Sequence, residues 1–203
     1  MKIVVVDYGM GNVKSVISAI RYLGFEDVIL SNDSSILASA DKLILPGVGN
    51  YAMAVKKIHE LDLHSIIREL VLCKKIPILG ICLGMQLIGR SSTEDGFHEG
   101  LALIDAKVEA FNSKGIKIPH VGYNQVEPVL NSRLYSGINT ELDYYFTHSF
   151  RMQSEADICA SRCVYGENFI ASFEKNHIAG VQFHPELSQH NGLKLIRNFI
   201  EKF

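Results

Sequence analysis

Residues 74–90 read K-K-I-P-I-L-G-I-C-L-G-M-Q-L-I-G-R, and this stretch decides the fold. A short apolar run, Ile76 to Ile81, follows two lysines and contains a proline near its start. It passes without a linker into Leu83-Gly84-Met85-Gln86-Leu87-Ile88, which reads as the start of a helix. A chain that turns directly from strand to helix must bend sharply. Gly80 and Gly84 stand on either side of Cys82, where a Cβ would collide with neighbouring backbone. The pattern G-x-C-x-G is that of a nucleophile elbow with sulfur in place of oxygen, and it places Cys82 above the sheet edge, facing the first amides of the following helix. Taken alone, the same pattern also describes a close packing site for a buried cysteine.

A candidate base lies near the other end of the chain. Residues 177–186, H-I-A-G-V-Q-F-H-P-E, form an extended apolar run that ends in His184 and Glu186. Read as a strand, residues two apart share a face, so the imidazole and carboxylate are expected side by side. In that arrangement His184 takes the thiol proton, and Glu186 orients the ring and supports the imidazolium. Pro185 stiffens the spacer.

Upstream of the elbow, strands alternate with helices. Lys2–Val6 is a wholly apolar strand of the kind buried on both faces of a parallel sheet. Asp7-Tyr8-Gly9-Met10-Gly11-Asn12 then leads into an amphipathic helix reaching about Leu23. Gly9 and Gly11 suggest a dinucleotide fingerprint, but its third glycine would fall at Lys14, so the run is read as a tight turn. Further strands are expected at Val28–Leu30 and Lys42–Leu45, and helices at Ser34–Ala40, Tyr51–Glu60 and Leu63–Cys73. Pro46-Gly47-Val48-Gly49-Asn50 has backbone freedom enough to turn amides toward an oxyanion, and it also reads as an ordinary strand-to-helix loop. Together these features predict a single-domain α/β fold over residues 1–203, with a mostly parallel, doubly wound central sheet flanked by helices.

After Arg90 the pattern changes. Ser91–Gly100 is polar and is expected as an exposed loop, followed by short strands at Ala106–Phe111, His120–Glu127, Tyr144–His148, Ile158–Tyr165, Phe169–Phe173 and Ile178–Phe183. These predict a mixed or antiparallel extension that brings His184 back to the elbow, with a closing helix at Leu193–Phe203.

The chain of 203 residues is 47% hydrophobic, enough for a substantial core, and its formal net charge of -2 gives no electrostatic case for nucleic acid or an anionic membrane. The N-terminus turns acidic at Asp7 too early for a signal peptide, so a cytoplasmic location is expected. Cys73, Cys82, Cys159 and Cys163 show no paired spacing for zinc, and neither a metal nor a cofactor is expected.

The chain resembles the class I, or triad, glutamine amidotransferases over nearly its whole length, and within them the glutaminase subunits of imidazole glycerol phosphate synthases. The resemblance is carried by D-Y-G-M-G-N at 7–12, P-G-V-G at 46–49, G-I-C-L-G-M-Q-L at 80–87, P-H-V-G-Y-N at 119–124, Y-F-T-H-S-F at 145–150 and F-H-P-E at 183–186. It implies that Cys82 attacks the side-chain amide of L-glutamine to form a γ-glutamyl thioester, with His184 and Glu186 completing the triad. It also implies oxyanion donors at the backbone of Leu83 and of the Val48-Gly49 loop, and substrate contacts from Gly49, Gln86, Ser149 and Phe150. The implied partner is a (β/α)8 cyclase in a one-to-one heterodimer, which receives the ammonia and makes imidazole glycerol phosphate for histidine biosynthesis. Histidine-pathway members usually carry Trp where this chain has Tyr123 and Lys where it has Leu187. A paralogue supplying ammonia for sugar amidation in surface-polysaccharide or nonulosonate pathways is the alternative.

Overall fold

The computed structural model describes residues 1–112, 115–138 and 142–203. Its centre is a seven-stranded sheet. In spatial order the strands are Ser161–Tyr165, Glu167–Lys175, Ile178–Val181, Ile78–Ile81, Lys42–Leu45, Ile3–Val6 and Val28–Ser31. The last five run parallel, while the first two are antiparallel to their neighbours. This is the expected mixed α/β architecture.

Alternation along the strands divides the core into two layers. Ile3, Val5, Ile44, Leu79 and Ile81 face the helices Val13–Tyr22 and Gln189–Lys202, which contribute Val16, Ile20, Leu195, Ile196 and Phe199. Val4, Val6, Leu43, Leu45 and Ile78 face the other way, toward Leu37, Ala54, Ile58, Leu63, Ile67 and Leu87. A strand buried on both faces has no place for a polar side chain, which is why these runs read as continuously apolar. Each fully buried aliphatic or aromatic side chain contributes about 1.5–3 kcal/mol.

The extension forms two smaller sheets. One joins Phe150–Gln153, Lys107–Ala110, Ser91–Ser92 and His98–Glu99; the other pairs His120–Gln125 with Asp143–His148 in antiparallel register, His120 opposite His148. Several boundaries differ from expectation. Ser91–Gly100 is not simply an exposed loop: it contributes two short strands, Ser92 is buried, and Glu94 folds inward. The strand expected from Ile158 begins only at Ser161, after Cys159 adopts a left-handed backbone with φ 46°. The closing helix starts four residues early, at Gln189, and the helix expected to reach Cys73 ends in a π-helical turn, Glu69–Cys73.

The elbow rests on a glycine pair. Gly80 and Gly180 are register partners on adjacent parallel strands, and the buried helix Leu83–Ile88 packs over both. A Cβ on Gly80 would stand 2.7 Å from the Gly84 carbonyl oxygen, and one on Gly180 would stand 2.8 Å from Met85 Cγ. The tightest position is Gly84, where a Cβ would lie 1.8 Å from the carbonyl oxygen of Leu45. Backbone cannot yield there as a side chain could. Gly84→Ala is therefore expected to destabilise the protein by about 4 kcal/mol or more, the range of severe backbone and overpacking defects, as read by urea unfolding.

Candidate active site

Cys82 sits between the strand Ile78–Ile81 and the helix Leu83–Ile88 with φ 52° and ψ -110°, and it is 6% exposed. A non-glycine residue with positive φ is strained, and the surrounding packing must enforce it. Here the enforcement is visible: the Cys82 amide donates to Val181 O at 2.8 Å, continuing the pairing with Ile178–Val181 beyond the strand end.

That pairing also delivers the base. Three residues after Val181 the chain reaches His184, whose amide donates to Tyr145 O at 2.8 Å. His184 Nδ1 lies 2.9 Å from Glu186 Oε1, and both side chains are almost fully buried. The pair does not form by strand alternation as expected from the sequence. The strand ends at Val181, and Pro185–Leu187 is a 3-10 turn that folds the carboxylate back onto the ring. Proline fits the start of such a turn because its missing N–H has no partner to lose. Ser188 fastens the turn, its hydroxyl donating to His184 O at 2.6 Å and accepting the Tyr145 amide at 2.9 Å.

The structure thus brings Cys82, His184 and Glu186 together. His184 Nε2 is buried without an ordinary hydrogen-bond partner, and the ring interacts electrostatically with the Cys82 sulfur. Burial alone would push the imidazole down. Hydrogen bonding and charge from Cys82 and Glu186 outweigh it, and His184 is pushed up to about 10. Behind the triad, Asn12 Nδ2 donates to Glu186 Oε1 at 3.3 Å, so the turn at residues 7–12 touches the site directly.

In front of the sulfur is a pocket of about 290 Å³ lined by Val48, Gly49, Cys82, Leu83, Gln86, Glu94, Pro119, Thr147, His148, Ser149 and Phe150. Each residue that the resemblance marks for oxyanion or substrate contact lies on it. Two of them already have internal hydrogen-bond partners. The Leu83 amide donates to Gly47 O at 3.3 Å, so this donor is already occupied by an internal carbonyl. Gln86 is buried, with Nε2 donating to Phe150 O at 3.1 Å and to Gln182 Oε1 at 3.0 Å.

Sequence reasoning missed Glu94, Asn12, Gln182 and His148. Glu94 accepts the Tyr51 amide at 3.1 Å and the Asn50 side-chain amide at 3.2 Å, and burial raises its carboxyl above the usual range. His148 is held neutral: burial lowers it to about 3, and its Nδ1 lies 2.8 Å from Phe150 O. Gln182 carried a signal, since it is the one amide in the otherwise apolar run from Ile178 to Phe183. Glu94 carried none, because nothing local marks a loop carboxylate as inward-facing.

The Glutamine amidotransferase class-I family profile matches residues 4–203. The chain belongs to the class I glutamine amidotransferases. Among proteins similar to this amidotransferase is imidazole glycerol phosphate synthase subunit HisH 1 of Campylobacter jejuni (strain RM1221), 44% identical over 98% of this chain and 98% of that protein. The subunit HisH of Aquifex aeolicus is 43% identical over 100% and 97%, and that of Escherichia coli K12 is 42% identical over 99% and 100%. Among solved structures, a putative GMP synthase subunit of Thermoplasma acidophilum superposes with a TM-score of 0.73 at 25% identity, covering 98% of this chain and 92% of that one. The two departures from the histidine-pathway pattern meet in space: Tyr123 Oη donates to Leu187 O at 2.8 Å, and both side chains are substantially exposed. Among the described residues, no helix of this amidotransferase is long and apolar enough to cross a membrane.

A histidine raised on folding stabilises the native state fully below its ordinary value of 6.5, and this contribution is lost as pH climbs through about 10. Glu186→Gln removes one of the two partners that raise the imidazole. The variant is expected to melt below the native protein at pH 6, with the gap closing toward pH 10.5. A gap of constant size would show the imidazole to be neutral.

Proposed function

We propose that this chain is the glutaminase subunit of an imidazole glycerol phosphate synthase, hydrolysing L-glutamine through a Cys82 thioester. The observation that carries the reading is the strained, buried Cys82 facing both the His184–Glu186 pair and the 290 Å³ pocket. With the thiol proton on His184, the sulfur attacks the side-chain amide carbon of glutamine. The tetrahedral adduct collapses with the C–N bond breaking, and the nitrogen leaves as ammonia carrying the proton returned by His184. Water, deprotonated by the same imidazole, then cleaves the thioester to glutamate and restores the thiol. Glu186 keeps Nδ1 protonated and Nε2 aimed at the chemistry throughout.

Glutamine bound in the pocket would set its α-ammonium against Glu94, the carboxylate on the wall, with its other polar groups near Gln86 and the backbone of Ser149 and Phe150. The oxyanion requires the Leu83 amide and a second donor from Val48 or Gly49. At rest Leu83 is hydrogen-bonded to Gly47 O, so the Gly47-Val48 peptide must turn before the hole is complete. Gly49, with φ 103°, supplies the backbone freedom. Such a resting state suits a glutaminase whose ammonia would otherwise be protonated in water and lost. A (β/α)8 cyclase that receives the ammonia is the partner this reading requires, and the exposed Val48, Val121, Tyr123 and Leu187 offer it an apolar surface.

Two experiments test the proposal. Cys82→Ala is expected to abolish glutamine-dependent imidazole glycerol phosphate synthesis by the complex and to leave synthesis from ammonium salts intact; loss of both would make the residue structural. Glutamine turnover by the isolated chain is expected to rise about 100-fold or more when cyclase and acceptor are added, as completion of an oxyanion hole would produce. Equal turnover with and without them would refute the gated hole.

A further inference from the structure

The strand pairing that positions Cys82 also sets a second polar side chain against its sulfur. The register Ile81 opposite Val181 continues for one more residue, so Cys82 and Gln182 stand at the same level on neighbouring segments. Gln182 is wholly buried, and its Nε2 lies 3.7 Å from Cys82 Sγ, within hydrogen-bonding distance for sulfur. Its backbone amide donates to Ala171 O at 2.8 Å.

We propose that Gln182 is a further catalytic residue, whose side-chain N–H donates to the Cys82 thiolate and holds the sulfur in its attacking position. The inference rests on the reading of Cys82 as nucleophile. The direction of the hydrogen bond is set by a chain of partners. Phe150 O can only accept, so the Gln86 amide must present Nε2 to it; the same Nε2 donates to Gln182 Oε1, which leaves Gln182 Nε2 for the sulfur. The opposite orientation would place two NH2 groups against each other. His148 Nδ1 reinforces the anchor at Phe150 O.

This donor differs in kind from the other groups around the sulfur. His184 exchanges its proton with substrate, and Tyr8, whose hydroxyl donates to Pro46 O at 2.7 Å, is kept neutral by burial and by the nearby sulfur. The thiol can also donate to Thr147 O at 3.8 Å, a contact that favours the uncharged form. A primary amide neither gains nor loses a proton at working pH. It stabilises the sulfur anion equally before attack and when the thioester is cleaved, and in a dry site such a charge-assisted bond is strong. The network also joins the nucleophile to the Phe150 backbone on the substrate pocket.

The test uses Gln182→Met, which keeps most of the volume and removes the donor. In the assembled complex kcat for glutamine is expected to fall about 10- to 100-fold, the span of one hydrogen bond to a charged group, while KM changes by less than about three-fold. The pH midpoint for alkylation of Cys82 by iodoacetamide should move upward. A folded variant with native kcat and a native alkylation profile overturns the proposal, as does a loss of kcat with the alkylation midpoint unmoved, which is the mark of a merely structural residue. Should the variant not fold, the native protein labelled with ¹⁵N-glutamine serves: the Gln182 side-chain amide is expected to shift as Cys82 ionises and to lose that response in Cys82→Ser, and a resonance indifferent to pH overturns the assignment. Glutamine-dependent activity surviving in Cys82→Ala would instead refute the nucleophile itself.

Discussion

The site depends on one pairing, the parallel register of Ile78–Ile81 against Ile178–Val181. Parallel strands end at the same edge of a sheet, so whatever follows each of them is brought together there regardless of separation along the chain. Cys82 follows the first strand immediately, and Gln182 and His184 follow the second. A slip of one residue would exchange side chains between the two buried layers and carry the imidazole away from the sulfur. Glycines at 80 and 180 protect the register because the helix Leu83–Ile88 seats on them, and bulk at either position would lift it from the sheet.

Around that edge the fold builds a dry, polar enclosure. The triad, Gln86, Gln182 and His148 are all buried, and their hydrogen bonds close mostly on one another or on the Phe150 carbonyl. These pairings resist rearrangement and a dry enclosure keeps charge strong within it, while His184 Nε2 and Glu186 Oε2 stay buried without a hydrogen-bond partner. The adjustable part is the loop after Lys42–Leu45. There Gly49 has positive φ, Val48 is exposed, and the amide needed for an oxyanion is held by Gly47 O. On the proposed reading, a rigid nucleophile beside an adjustable oxyanion donor would couple glutamine hydrolysis to a second protein.

The alternating strands and helices, the elbow at Cys82 and the His184–Glu186 pair were legible because each follows from local rules: apolar periodicity, glycines flanking a sharp turn, and residue types that form a base and its orienter. The family resemblance reached further and marked every residue on the pocket wall that it named. Local rules failed where contacts cross the chain. Glu94 lies in a polar stretch that reads as solvent-exposed, and only its bonds to Asn50 and Tyr51 turn it inward. The His184–Glu186 contact was anticipated with the wrong geometry, since Pro185 opens a 3-10 turn rather than extending the strand.

The sequence by itself determined the sheet-forming runs, the sharp turn at the nucleophile and the identity of the chemical groups, because these rest on side-chain volume, polarity and backbone freedom within a few residues. Only the tertiary structure decided which groups touch. The orientation of the Gln86 and Gln182 amides, the occupation of the Leu83 amide and the contact of Asn12 with Glu186 are set by partners scores of residues away or on separate elements. Hydrogen-bond direction and proximity are properties of the packed assembly, and no single segment carries them.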